Sequence, residues 1–168
     1  MTVMFDLESR FDPRKVVEAI PDSIYNPHKF SGVKVYNLQP FYSALVFNSG
    51  KVTITGVTSM EHAEKAARHL YESLRTHINV RYGSLDVCNF VGSMKIDSPI
   101  HLINFYNSHR EFSSYEVELF SGLFYKPCKV NGTITLFRTG QINLTGVRTY
   151  QEMELLKNHI LEELLVSG

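Results

Sequence analysis

The sequence has no tryptophan, only two cysteines among 168 residues, and no apolar run approaching the ~18 residues of a membrane span. Cys88 and Cys128 stand 40 positions apart, without a CxxC pair or nearby histidine ligands, so neither a disulfide framework nor a zinc site is indicated. Both are expected as small buried apolar residues. The opening stretch MTVMFDLESRFDPRK carries acids where a secretory signal needs basic residues followed by a continuous apolar run, and the expectation is a soluble, intracellular chain with no membrane partner. The seven histidines are scattered, and no Ser-His-Asp arrangement, HExxH or phosphate-loop pattern occurs. These residues point away from an enzyme and call for no cofactor and no metal. Without a secretory signal, the formal glycosylation sequons at Asn131 and Asn143 carry no meaning.

Net charge is also missing, because 17 Lys+Arg balance 17 Asp+Glu, and neutrality alone argues against a nucleic-acid binder. The distribution reverses that reading. No acid lies between Asp22 and Glu61, a segment holding Lys29, Lys34 and Lys51; none lies between Glu118 and Glu152, which bracket Lys126, Lys129, Arg138 and Arg148. The acids gather elsewhere, as in Glu152, Glu154, Glu162 and Glu163. Two long segments are thus purely basic inside a neutral chain.

Those same segments repeat. Offsetting the chain by 90 positions from 23–74 onto 113–164 gives 14 identities in 52, where average composition gives roughly 3. The matches include Tyr25 with Tyr115, Phe47 with Phe137, and the triplet Phe30-Ser31-Gly32 with Phe120-Ser121-Gly122. The chain is a tandem duplication of two copies, read as halves 1–84 and 85–168, and two copies suit a pseudo-twofold pair better than a solenoid.

Within each half, ALVFNSGKVTITG and ITLFRTGQINLTG read as two short strands around a turn. Alternation sends Val52, Ile54, Ile142 and Leu144 to one face, and Thr53, Thr55, Asn143 and Thr145 to the other. Leu45 and Phe47, with Thr135 and Phe137, join that second, polar face. A preceding strand is expected near Gly32–Leu38 and Gly122–Lys126. Amphipathic helices follow each sheet: Ala63, Ala66, Ala67, Leu70 and Leu74 form one apolar stripe, and Met153, Leu156, Ile160 and Leu164 the other. Capping boxes are expected from Thr58 to Glu61 and from Thr149 to Glu152. Shorter helices are expected near Asp12–Ala19 and Ile100–Tyr106. Helices cover one face of a sheet, leaving the other face, with its phenylalanines, threonines and lysines, open. Such a face supplies phosphate neutralisation, hydrogen bonds to base edges, and apolar wedges.

The motifs YNPHKF, ALVFNSGKVTITG, NFVGSMKIDSPIHL, EFSSYEVELFSGLFY and ITLFRTGQINLTG, in this order and spacing, resemble the conserved core of the TATA-box-binding protein family. The resemblance implies an α+β saddle, in which two pseudo-symmetric repeats form one curved antiparallel sheet with helices on the convex face. It also implies minor-groove binding to A·T-rich promoter DNA with strong bending. Phe30 with Phe47 and Phe120 with Phe137 match the family's intercalating pairs. Thr55, Thr145, Asn89, Val91, Leu45, Thr53, Asn143 and Thr135 fall on its groove-contacting positions, and Ser49, Lys51, Lys126, Lys129, Arg138 and Thr139 are the expected phosphate contacts. The sequence departs from the family pattern in polarity: Thr53 and Asn143 stand where it has valines, Thr135 where it has leucine, Ser31 and Ser121 where it has alanine and proline.

Partner surfaces follow from the same resemblance. Glu116, Glu118 and Leu119 match a loop that docks a transcription factor IIB-type protein, with Val117 in place of the usual proline. The loop YNPHKF corresponds to the side approached by a factor IIA-type partner, and the RNA polymerase machinery is implied beyond these. The expected function is a general initiation factor, nuclear in a eukaryote, and otherwise cytoplasmic or at a viral transcription site. The alternative is an interaction module that recruits a factor IIB-type partner with weak or altered DNA binding.

Overall fold

The computed structural model describes residues 1–167, and the chain divides into two compact units, Met1–Cys88 and the remainder from Asn89. In the first unit, β1 (Thr2–Asp6), β2 (Val33–Leu38), β3 (Phe41–Val46) and β4 (Lys51–Thr55) form an antiparallel sheet in the order β2-β3-β4-β1. Helices α1 (Arg14–Ala19) and α2 (Met60–Leu74) accompany it. Every second strand residue is buried: Val3 and Phe5 on β1, Val33 and Val35 on β2, Tyr42, Ala44 and Val46 on β3, and Val52 and Ile54 on β4. They share one core with the Ala63, Ala66, Ala67, Leu70 and Leu74 stripe of α2, which is why period 2 and period 3.6 were both legible. Small alanines let the helix approach the sheet closely.

The second unit repeats the plan. Strands β5 (Leu85–Lys95, of which residues from Asn89 belong to this unit), β6 (Ser113–Ser114), β7 (Leu123–Tyr125), β8 (Thr133–Leu136) and β9 (Gln141–Val147) follow the order β5-β9-β8-β7-β6, with helices α3 (Leu102–Ser108) and α4 (Tyr150–Ser167). Its core joins Leu123, Tyr125, Ile134, Leu136, Ile142 and Leu144 to Leu156 and Ile160 of α4. Met153 and Leu164 pack against that core from its margin.

Three local expectations change. The capping box holds at α4, where Thr149 Oγ1 accepts from Glu152 N at 3.1 Å and the Glu152 carboxylate accepts from Thr149 N at 3.1 Å and Arg148 N at 2.8 Å. At α2 the cap moves one residue on: Ser59 Oγ accepts from His62 N at 3.1 Å, while Glu61 turns outward to pair with Lys65 at 2.7 Å. Adjacent Thr58 and Ser59 are both good caps, and the apolar stripe decides between them. Cys88 is half-buried and Cys128 exposed, both as free thiols, because Cys128 lies in the β7–β8 connection rather than on a core-facing strand position.

A bulge interrupts β9. Phe90 pairs with Val147 but Gly92 with Leu144, so β9 spends three steps where β5 spends two, and Gly146 takes φ +78° there. The N–H that this irregularity removes from the ladder is accepted by Asn89 Oδ1 at 2.9 Å.

Candidate nucleic-acid interface

The two phenylalanine pairs are built alike. Phe30 N donates to Asn26 O at 2.9 Å and Phe120 N to Glu116 O at 2.9 Å, so each outer ring ends a one-turn loop. Phe47 and Phe137 each begin a four-residue turn, closed by Gly50 N to Phe47 O and Gly140 N to Phe137 O, both at 3.0 Å. The rings meet edge to face: centroids lie 5.7 Å apart at 66° in the first unit, and 5.7 Å apart at 70° in the second. Phe30 is 37% exposed and Phe120 39%. Contacts of this kind offset part of the cost of holding an apolar ring in water.

Glycine of the repeated triplet seats these rings. A Cβ on Gly32 would stand 2.8 Å from Phe30 Cε1 and 3.0 Å from Phe47 Cε1; on Gly122 it would stand 2.6 Å from Phe120 Cε1 and 2.9 Å from Phe137 Cε1. Only a missing side chain leaves both rings room. Neighbours differ between the units: Lys34 lies over the Phe30 ring at 5.9 Å, whereas Phe124 stacks on Phe120 at 4.9 Å and 14°. Phe124 is 43% exposed and was not singled out in the sequence, because its counterpart is a lysine.

Polar groups fill the rest of each open face. Thr55 Oγ1 donates to Ser43 O and Thr145 Oγ1 to Thr133 O, both at 3.4 Å, so the two threonines occupy equivalent settings. Asn89 spends its carbonyl oxygen on Gly146, which leaves its amide N–H groups as the available part, donors suited to acceptor-only A·T edges. Leu45, Thr53 and Asn143 are half-buried; Val91 is 57% exposed on β5. Thr135 is the exception, at 8% exposure beside Gly122 and its rings. Gln141 and Ser93, unremarked in the sequence, join Asn143: Gln141 Nε2 donates to Ser93 Oγ at 2.5 Å and to Asn143 Oδ1 at 3.4 Å.

Charge separates as the sequence distribution suggests. On the helices, cations pair with acids: Lys65 with Glu61 at 2.7 Å, Arg75 with Glu72 at 2.6 Å, Lys157 with Glu154 at 3.0 Å. Among the described residues, Lys34, Lys51, Lys126 and Arg138 have no carboxylate within ion-pair distance. Ser49 lies in the Phe47 turn and Lys51 follows it as the first residue of β4, while Arg138 and Thr139 lie in the Phe137 turn, so these four flank the inner rings. Lys126 is exposed at the end of β7. Lys129 stands apart from them, lining a cleft with His159 and Glu163 of α4 and His109. In that cleft His109 Nε2 meets Glu163 Oε2 at 2.9 Å and His159 Nε2 meets Tyr125 Oη at 3.1 Å. Burial, then the nearby Glu163 charge, pushes the Tyr125 hydroxyl up to about 12.

The loop that ends on Phe120 carries Glu116, Val117, Glu118 and Leu119, all exposed, with Leu119 at 80% and Val117 at 61%. Two large aliphatic side chains alternating with two carboxylates in one tight turn have no core to cover.

Two duplicated units with helices on one sheet face and matched aromatic pairs on the other define a class of sheet proteins with an open working face. The fold is that of the "Methanococcus jannaschii TBP" structure, with a TM-score of 0.83 over 97% of this chain and 94% of that one, at 23% identity. The family model described as "Transcription factor TFIID (or TATA-binding protein, TBP)" matches residues 1–77 and 84–165. Among relatives, "TATA box-binding protein-like 2" of Rattus norvegicus is 35% identical over 149 residues, 88% of this chain and 43% of that protein. "TATA-box-binding protein" of Emericella nidulans is 33% identical over 156 residues, 90% of this chain and 58% of its own length. The "TATA-box-binding protein 2" of Entamoeba histolytica is 31% identical over 97% of this chain and 77% of that protein. The chain belongs to the TATA-binding protein family, and it spans about half the length of the first two relatives.

Proposed function

We propose that the protein is a non-enzymatic promoter-recognition factor that binds A·T-rich duplex DNA in the minor groove, inserts its phenylalanine pairs at base steps, bends the duplex and nucleates initiation-complex assembly. The observation that carries this reading is the duplicated pair itself, Phe30–Phe47 and Phe120–Phe137, held at one spacing on unpaired basic faces. A flat apolar ring can enter a partly unstacked step, where new contact area offsets an unstacking cost of a few kcal/mol. Asn89 then supplies donors for A N3 and T O2, as do Thr55 and Thr145 once their hydroxyl hydrogens turn from Ser43 O and Thr133 O to the groove edge, while Ser49, Lys51, Lys126, Arg138 and Thr139 meet phosphates. The eukaryotic relatives support a nuclear site of action. Equilibrium binding to A·T-rich and G·C-rich duplexes across a salt series tests the reading. Tighter binding to the A·T-rich duplex, weakening steeply as salt rises, is expected; equal binding to both duplexes contradicts it.

The exposed Glu116–Leu119 turn favours a second role, docking of a factor IIB-type protein, with a factor IIA-type partner on the 25–30 loop and the polymerase machinery beyond. A charge reversal, Glu118→Arg, is expected to weaken factor IIB-type association at least tenfold without altering DNA binding. An unchanged association removes this role.

A further inference from the structure

The two open faces are not chemically equal, although their backbones repeat. Across the first unit one row runs Met4, Thr53, Leu45, since Met4 pairs with Thr53 and Thr53 with Leu45. The matching row of the second unit runs Ser93, Asn143, Thr135. Position by position, the Met4 thioether gives way to the Ser93 hydroxyl, the Thr53 hydroxyl to the Asn143 amide, and the Leu45 isobutyl group to the Thr135 hydroxyl. Two residues along, Lys51 is replaced by Gln141, whose Nε2 ties Ser93 and Asn143 together.

That tie fixes what the row can offer. Asn143 Oδ1 receives a single 3.4 Å bond from Gln141 and retains acceptor capacity. Among the described residues, neither Asn143 Nδ2 nor Gln141 Oε1 has a protein partner. A·T and T·A pairs show only acceptors in the minor groove, and G·C adds the guanine 2-amino donor. A primary amide answers a guanine edge with both functions, its N–H to N3 and its oxygen to the 2-amino group. In the first unit the row's one acceptor is the Thr53 hydroxyl, a single short group between the longer apolar Met4 and Leu45; it cannot answer N3 and the 2-amino group together as an amide does, so a guanine there is left with one function unpaired.

Building on the DNA-binding reading above, we propose that Asn143, supported by Ser93 and Gln141, is a specificity-determining residue that accepts a guanine 2-amino group, so that the second unit tolerates a G·C pair that the first unit rejects. The protein thereby recognises sites that are A·T-only in one half and admit G·C in the other.

Inosine isolates the amino group, because I·C lacks it while keeping the rest of the minor-groove edge of G·C. The full chain is titrated by fluorescence anisotropy against an A·T-only duplex and a set in which each pair in turn, in one half or in both, becomes I·C or G·C. With wild type, at least one position is expected where G·C in one half binds within about threefold of I·C, and where G·C in both halves loses about tenfold or more, the scale of a mismatched pair. Asn143→Val, compatible with a strand, is expected to impose the tenfold G·C-to-I·C loss on the one-half duplex too, read as a ratio within the variant so that the N–H contact to N3, lost from both duplexes alike, cancels. Thr53→Val serves as the matched control and is expected to leave the one-half ratio unmoved. A tenfold G·C penalty at every position with wild type, or a ratio unchanged in Asn143→Val, overturns the proposal while leaving A·T recognition standing. Failure to bind the A·T-only and I·C duplexes would instead remove the DNA-binding reading, and this inference with it.

Discussion

Gly122→Ala separates the seat of the phenylalanine pair from the core beneath it. The new Cβ would stand 2.6 Å from Phe120 Cε1, 2.9 Å from Phe137 Cε1 and 3.1 Å from Thr135 Cγ2. Carbon atoms rest at about 3.5–4.0 Å, so the Phe120 ring must retreat by roughly 1 Å and Phe137 by somewhat less. Leu123 and Leu136, on the opposite face, keep their packing. Stability changes little: overpacking costs about 1–3 kcal/mol, with the low end apt for a ring 39% exposed and free to swing outward. Lost freedom of the unfolded chain returns about 0.4–1 kcal/mol. The net is a destabilisation of no more than about 0.6 kcal/mol, read from urea unfolding. The insertion geometry is lost all the same. With 2-aminopurine scanned along an A·T-rich duplex, wild type is expected to brighten the probe at two unstacked steps, and Gly122→Ala at one. Gly32→Ala, with contacts at 2.8 and 3.0 Å, is expected to silence the other step less completely. Two bright steps in Gly122→Ala, or loss of more than about 3 kcal/mol of stability, beyond the overpacking range, would refute the assignment of this glycine as a ring seat.

Removing the α4 cap with Thr149→Ala is expected to cost about 1 kcal/mol in urea unfolding. Backbone N–H of Arg148, then the side chain of Asn131, hold the Glu152 carboxyl below the ordinary value of 4.5. Its contribution is therefore present above pH 4.5 and fades as pH falls below it; Glu152→Gln is expected to flatten the acid limb of the stability curve, and an unaltered limb contradicts the bonding at this cap. Burial pushes the Tyr42 hydroxyl up to about 12, as it does Tyr125. These two groups stabilise the fold fully below pH 10 and lose that contribution as pH rises toward 12. Ultraviolet titration of the nine tyrosines is expected to show both among the last to ionise, and Tyr42→Phe to remove one late step.

Elements with short-range causes were legible in the sequence. Alternation at Val52–Thr55 and the alanine stripe of α2 state their own faces, and the 90-residue offset locates both phenylalanine pairs without any knowledge of the fold. What escaped depends on contacts distant in the chain. Gln141 reaches Ser93 across 48 positions, and Asn89 reaches the bulge at Gly146 across 57. Phe124 was hidden because the offset compares it with Lys34, although both cover the outer ring of their unit. Lys129 reads as one more sheet cation, yet it lies in a connection that brings it beside α4. Small residues after Phe30 and Phe120 suggest a close approach; the structure shows that the rings of the same unit take that space.

Insertion of the phenylalanines is the central claim, and end-to-end energy transfer on a doubly labelled A·T-rich duplex tests it most directly. Wild type is expected to shorten the end-to-end distance at low salt, and Phe47→Ala with Phe137→Ala to abolish most of that shortening while the protein stays folded and bound through its basic residues. A duplex that stays straight with wild type, or bends equally with the double variant, would contradict the account.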